Sequence, residues 1–282
     1  MNCILEKFSS IYELDRVLES RKNNKIMKDK NSSDKEDDSG SWCKCRDYSE
    51  SRILLQKGYK ESCDVIKKEL EVFKRTVKVE KNKQIKDVCG YAPIVANAIK
   101  GYPKAMIRTK KKEVIKRQKT YHFLFTNEDN CGTSAEELSR SGITLLKLCY
   151  ILDLNGVRTK IDTTCNFSKE GDDVYCCLVN IKDYRQPFNL MKLSYPVTHP
   201  AFFRRQGFKA LETTEGLTDS DWTWGYGHSL GSRSGEEEVI KEFFEKTDLA
   251  KDNFVYINYY DVSEADFDVY KLAERKGIAL TR

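Results

Sequence analysis

The chain reads as an α/β protein, an open, mostly parallel sheet with flanking helices, preceded by a helical N-terminal region. Three observations predict this. From residue 120 onward, strand patterns and helix patterns alternate. Two strand patterns, "VRTKIDTTCNF" and "VYCCLVNIK", flank the polar turn "SKEGDD" and read as an antiparallel pair. Ahead of both, apolar residues recur at intervals of three and four, the spacing of one helix face. The chain then divides into an N-terminal helix at 1–20, a flexible linker at 21–41, a helical region with a basic segment at 42–118, and an α/β domain at 119–282.

The elements follow in order. "CILEKFSSIYELDRVLES" places Ile4, Leu5, Phe8, Ile11, Tyr12, Leu14 and Leu18 at helical intervals. Residues 21–41 are polar, mixed in charge and nearly free of large apolar side chains, too little to offset the entropy of ordering. Two helices follow Trp42: Lys57-Gly58 closes the first, and the second runs from about Glu61 to Phe73. "GYAPIVANAIKGYPKAM" has glycine and proline punctuation around one short apolar helix, and the basic run "RTKKKEVIKRQK" comes next.

"TYHFLFT" is a strand. The helix after it begins at a capping box, Ser134 with Glu137, and stops at Asn155-Gly156. Past the hairpin, "YRQPFNLM" reads as a short helix, "MKLSYPV" as a strand and "HPAFFRRQGFKALE" as a helix. "SGEEEVIKEFFEKT" is a helix, "NFVYINYYD" a strand, and "SEADFDVYKLAERKG" a closing helix. A hairpin early in a wound order resembles the arrangement of von Willebrand factor A-like domains, with Rossmann-like order the other form of such winding.

Composition narrows the classes. The net charge of +5, from 49 basic and 44 acidic residues, leaves nucleic-acid binding to local clustering alone. No run of eighteen apolar residues exists, and the opening residues lack the basic and apolar regions of a signal peptide, so the expectation is a cytoplasmic chain without a membrane partner. The ten cysteines lack the paired spacing of a zinc ribbon or finger and read as reduced thiols, mostly small buried hydrophobes. No dinucleotide fingerprint, P-loop or nucleophile elbow is present, and no cofactor is expected. The glycine-rich "GYGHSLGSRSG" at 225–235 follows no strand and reads as a mobile surface loop.

Three candidate sites remain. Ligands of open α/β sheets bind at strand carboxyl ends, which points to "TNEDNCGTS" after the first strand of the α/β domain. It offers Asn127, Glu128, Asp129, Thr133 and Ser134, oxygen donors suited to magnesium but not at Asp-x-Ser-x-Ser spacing, so a solvated loop with a helix cap is the other reading. The second is "THPAFFRRQGFKALE" at 198–212. With Thr198 as N-cap and Pro200 as first helical residue, His199, Arg204 and Arg205 would form an anion or carboxylate clamp. Alternatively this is a docked helix whose arginines make ordinary salt bridges. The third is a phosphate-binding stripe of Lys104, Arg108, Lys110, Lys111, Lys112, Lys116 and Arg117, with Tyr102 as a stacking partner.

Several pieces, in order, resemble an uncharacterised protein family of tailed bacteriophages. They are "SW" at 41–42 followed by "SESRILLQKGYKE", then "VANAIKGYPKAM", then "THPAFFRRQGFKALE" with "WGYG" after it. Trp42, Gly58, Gly101, Pro103, Met106, His199, Pro200, Arg204 and Arg205 carry the likeness; "KGYPKAM" and "CKC" depart from it. The resemblance implies a viral protein in the cytoplasm of an infected bacterium and assigns no activity. The expected function is an accessory, non-catalytic module binding a phage or host protein. A nucleic-acid-binding or -processing role for residues 100–119, and a metal-dependent hydrolase at the 127–134 loop, are the alternatives.

Overall fold

In the computed structural model, residues 1–22, 33–37, 42–76, 84–109, 120–126, 133–171, 173–217, 228–230, 236–249 and 253–280 are described. The chain opens with strand β1 (Asn2–Phe8), helix α1 (Ile11–Ser20), α2 (Tyr48–Lys57) and α3 (Lys60–Thr76). A small unit follows: β2 (Gln84–Asp87), β3 (Ala92–Pro93), α4 (Val95–Ile99) and β4 (Met106–Thr109). Next come β5 (Thr120–Thr126), α5 (Ala135–Leu154), β6 (Arg158–Glu170), β7 (Asp173–Lys182) and α6 (Leu190–Thr198). A π-helical turn (Phe202–Gly207) runs directly into α7 (Phe208–Thr213). The chain closes with β8 (His228–Ser229), α8 (Glu237–Lys246), β9 (Phe254–Asn258), α9 (Tyr259–Ser263) and α10 (Val269–Arg275).

The sheet is open, in the order β1-β7-β6-β5-β9, with β8 paired to β6. β5 is parallel to β6 and β9, β1 is parallel to β7, and β6 and β7 form the antiparallel hairpin. Its two faces carry separate cores. Phe123, Phe125, Ile161 and Val179 belong to the core shared with α5, α6 and the π turn, while Leu124, Phe167 and Leu178 pack with Ile240, Phe243 and Phe244 of α8. Each such side chain stabilises the fold by about 1.5–3 kcal/mol through burial. α5 and α6 cross so closely that a Cβ at Gly142 would stand 2.0 Å from the Val197 carbonyl oxygen.

The Ser134 capping box and the stop at Asn155 are observed, as is the β6–β7 hairpin. Four expectations are corrected. Residues 2–8 are a strand, not the start of the first helix. The Ser10 hydroxyl accepts from the Glu13 amide while the Glu13 carboxylate accepts from the Ser9 amide, which sets the helix start at Ile11. The backbone before it is then free to pair with β7. "MKLSYPV" lies in α6, not in a strand: Asn189 caps it by accepting from the Lys192 amide. All six residues from Leu193 to Thr198 are buried, so the run has no polar face from which a period can be read. "YRQPFNLM" is mostly a turn ahead of α6, held by Asp183 and Gln186. At the close of the chain the strand ends at Asn258, whose side chain caps α9, so that Tyr259, Tyr260 and Asp261 are helical; the closing helix is α10 alone, starting at Val269 after Asp266 and Phe267 take positive φ.

The 42–118 region holds its helical pair and the short apolar helix α4, and also the unexpected three-stranded antiparallel sheet β2-β4-β3. Within the expected linker, Ser33 is fully buried and Asp37 donates its amide to the Arg46 carbonyl, so 33–37 is docked; residues 23–32 and 38–41 lie outside the described residues. In the glycine-rich stretch at 225–235, His228 and Ser229 pair with β6.

Candidate functional site

The segment 198–212 is helical from Pro200, but its cap is His199, whose Nδ1 accepts from the Ala201 amide at 3.1 Å. Thr198 instead ends α6, donating its hydroxyl to the Ser194 carbonyl. The π turn follows, set against the sheet where β6 bulges: a Cβ at Gly207 would stand 1.7 Å from the Cys165 carbonyl oxygen. Only glycine fits that approach.

Arg205 leaves this turn inward and is fully buried. Its Nη1 donates to the carbonyls of Ser33 (3.1 Å) and Lys35 (2.6 Å), and its Nη2 to Asp37 Oδ2 (3.0 Å) and to the carbonyls of Cys45 (3.0 Å) and Arg46 (2.8 Å). The planar fork thereby holds two chain segments at once. Lys209 pairs with Asp34, and the buried carboxylate of Glu212 accepts from the amide and hydroxyl of Ser33. Beside Arg205, Gln206 accepts from the Tyr195 hydroxyl and donates to the Ser51 hydroxyl, both at 2.9 Å.

The other two members of the expected clamp lie elsewhere. Arg204 is exposed, its guanidinium 5.0 Å over the Phe208 ring. His199 is buried edge-on against Tyr59 at 4.6 Å, and burial pushes its pKa down to about 4. A neutral, hydrogen-bonded imidazole adds no charge to an anion site at neutral pH. The three side chains therefore face three environments, and Arg205 follows the ion-pair reading of the helix.

At the amino end of α5, the Thr133 carbonyl accepts from Trp42 Nε1 at 2.7 Å, and Lys44 pairs with Glu136. Residues 42–46 thus link the strand-end region to the Arg205 cluster. Asn127, Glu128 and Asp129 lie outside the described residues. Among the described residues, no group of three or more His, Cys, Asp or Glu is placed to hold a metal.

A polar cluster that sequence reasoning missed lies on the sheet. Asp162 on β6 accepts from Lys160 Nζ at 2.9 Å and Asn180 Nδ2 at 2.6 Å, and lies 2.6 Å from His122 Nε2. Burial raises the Asp162 pKa, but the hydrogen bonds from His122, Lys160 and Asn180 outweigh it and hold the carboxyl below its ordinary value. The signal was the spacing of Lys160 and Asp162, two residues apart around Ile161, which puts both on one strand face. A cleft of about 560 Å³ between α3, α5 and α6 is lined by Cys63, Lys67, Leu70, Tyr150, Phe188 and Met191 among others.

The small sheet is the exposed candidate. None of its residues from 84 to 109 is buried. Val88, Tyr91, Val95, Ile99 and Tyr102 are each 56–80% exposed. Lys86, Lys100 and Lys104 of the same unit are exposed, and Arg108 pairs with Asp87 at 3.2 Å. Of the expected basic stripe, Lys104 and Arg108 are on this unit, whereas Lys110, Lys111, Lys112, Lys116 and Arg117 lie outside the described residues.

Among known proteins, the family model described as Domain of unknown function (DUF7192) matches residues 2–278. No curated protein and no solved structure matches the chain.

Proposed function

We propose that this chain, which belongs to the DUF7192 family of unknown function, is a non-catalytic module that binds a protein partner through the small sheet at 84–109. One observation carries the reading: a three-stranded sheet with no buried residue exposes five large apolar side chains within fifteen residues. Two or three short strands without a hydrophobic face to bury are marginal in water. Contiguous apolar patches of several hundred Å² mark interaction sites on soluble proteins. The Arg205 cluster, by contrast, is committed to internal hydrogen bonds and belongs to the scaffold.

The test is a photo-crosslinker placed at Ile99, with a control at Lys241 on α8, in full-length protein within its native cells. A nuclease-resistant protein adduct at Ile99 and none at Lys241 is expected. No adduct, or equal adducts at both positions, overturns the reading.

A nucleic-acid role has its own support. Residues 78–119 hold thirteen Lys and Arg against three Asp and Glu, although the remainder of the chain is net acidic. Steep loss of affinity between about 50 and 200 mM salt would mark that role. The order β7-β6-β5-β9, with its one antiparallel pair, supports a von Willebrand factor A-like winding of the sheet. In that reading the carboxyl end of β5, at Thr126, is the ligand end, and a metal-dependent hydrolase at the 127–134 segment that follows it is the third proposal. The phage-family resemblance supports an accessory role in the cytoplasm of an infected bacterium. Among the described residues, no helix is long and apolar enough to cross a membrane.

A further inference from the structure

We infer that the occupant of the 84–109 surface is an acidic, amphipathic polypeptide segment of a partner protein, an identification that rests on the binding reading above. Two properties of the surface select it together. Its apolar part is largely aliphatic: Val88, Val95 and Ile99 accompany Tyr91 and Tyr102, and Ile99 is 80% exposed. Nucleic-acid bases stack on aromatic rings and would leave three aliphatic side chains in water. Leu, Ile or Phe side chains of a polypeptide would cover both kinds.

Its charge is the second property. Lys86, Lys100 and Lys104 make no ion pair among the described residues, and the one carboxylate of the unit, Asp87, is engaged by Arg108. Val95 and Ile99, four residues apart on α4, share a helix face that ends at Lys100. An incoming segment that alternates apolar and acidic side chains would bury the first against this face and place carboxylates beside the lysines. Complementary charge of this kind raises the association rate and fixes the partner's direction. A neutral apolar segment would forgo both, and a basic one would be repelled by a unit whose residues 84–109 hold four cations, Lys86, Lys100, Lys104 and Arg108, against Asp87.

The experiment uses the full chain and four probes: a labelled peptide of alternating Glu and Leu/Phe, the same peptide with Lys for Glu, a twenty-nucleotide oligo-dT, and vesicles of mixed phosphatidylserine and phosphatidylcholine. Sedimentation velocity of the chain alone runs alongside. The Glu-rich peptide should bind at least tenfold more tightly than the other probes, weakening about tenfold from 50 to 300 mM salt. Ile99→Asp should remove that binding, and Lys100→Glu with Lys104→Glu should reverse the preference toward the Lys-rich peptide. Because these residues are exposed, thermal midpoints should stay unchanged, which separates lost binding from lost fold. Tighter binding of oligo-dT or vesicles, self-association through this face, or equal affinity for both peptides overturns the inference. A crosslinked protein partner at Ile99 with no peptide preference refutes the acidic occupant while leaving the binding module standing. Absence of both refutes the module itself.

Discussion

Replacing Arg205 with methionine removes the guanidinium but keeps most of the stem volume. Five hydrogen bonds go at once, four to backbone carbonyls and one to the Asp37 carboxylate. Breaking a buried ionic network by deleting one partner costs about 3–5 kcal/mol, because the remaining groups stay desolvated. Release of residues 33–37 would rehydrate some of the carbonyls, so the cost is bounded by the free energy of docking that segment. For a chain of this size, about 3–5 kcal/mol corresponds to a fall in thermal midpoint of roughly 5–8 °C. Urea denaturation gives the free energy, and hydrogen exchange gives the location: Asp37 should lose protection, since its amide bonds the Arg46 carbonyl. Arg205→Lys keeps the charge without the fork and should recover only part of the loss. A stability change below about 1 kcal/mol with unaltered exchange at 33–37 and 42–46 would refute the structural assignment of Arg205, and a loss of partner binding in that stable variant would restore the anion-clamp reading.

Two further outcomes test the scaffold. His199 has its folded pKa lowered from 6.5 to about 4, so the unfolded chain binds the extra proton between those values. Its contribution is fully present above pH 6.5 and is lost as pH falls toward 4, up to about 3 kcal/mol by linkage. Urea midpoints of wild type and His199→Asn compared from pH 7 to pH 4.5 check this; equal slopes would show that burial does not depress His199. Gly207→Ala places a methyl against the Cys165 carbonyl and should destabilise by about 2–4 kcal/mol, since backbone occupies the space. A thermal midpoint within a degree of wild type would rule out the close packing of the π turn on β6.

How much could be read in advance depended on whether the deciding interaction was local. Ser134 and Glu137 are three residues apart, and the cap they form was visible in sequence. Residues 2–8 were not, because Ile4, Leu5 and Phe8 fit helical spacing as well as a strand, and the choice fell to an edge of β7 some 170 residues away. Arg205 was legible as a charge but not as a direction: its acceptors at Ser33 and Lys35 lie 172 and 170 residues upstream. His199 was placed correctly at a helix start, yet its burial came from Tyr59 and Tyr195, which no spacing rule connects to it. The small sheet escaped because its strands span only two to four residues, too short for alternation to register.

These scales of interaction also bear on where the function sits. The buried arginine, the capped helices and the two sheet cores hold each other in place, and a ligand that disturbed them would work against several kcal/mol of packing. The 84–109 unit has no buried residue to disturb, and its apolar side chains are already in solvent. A partner that covered them would supply the apolar surface to bury them against, which the unit lacks, so ordering of the sheet and binding of the partner would become one equilibrium. Coupling of this kind makes the unit's own protection from hydrogen exchange the most direct report of occupancy. Amides such as Tyr91 and Ile94, bonded to the carbonyls of Ile107 and Ala105, should be slowed by the partner while those of β5 and β6 stay as they are. Uniform protection across both sheets would instead mean that the partner grips the scaffold.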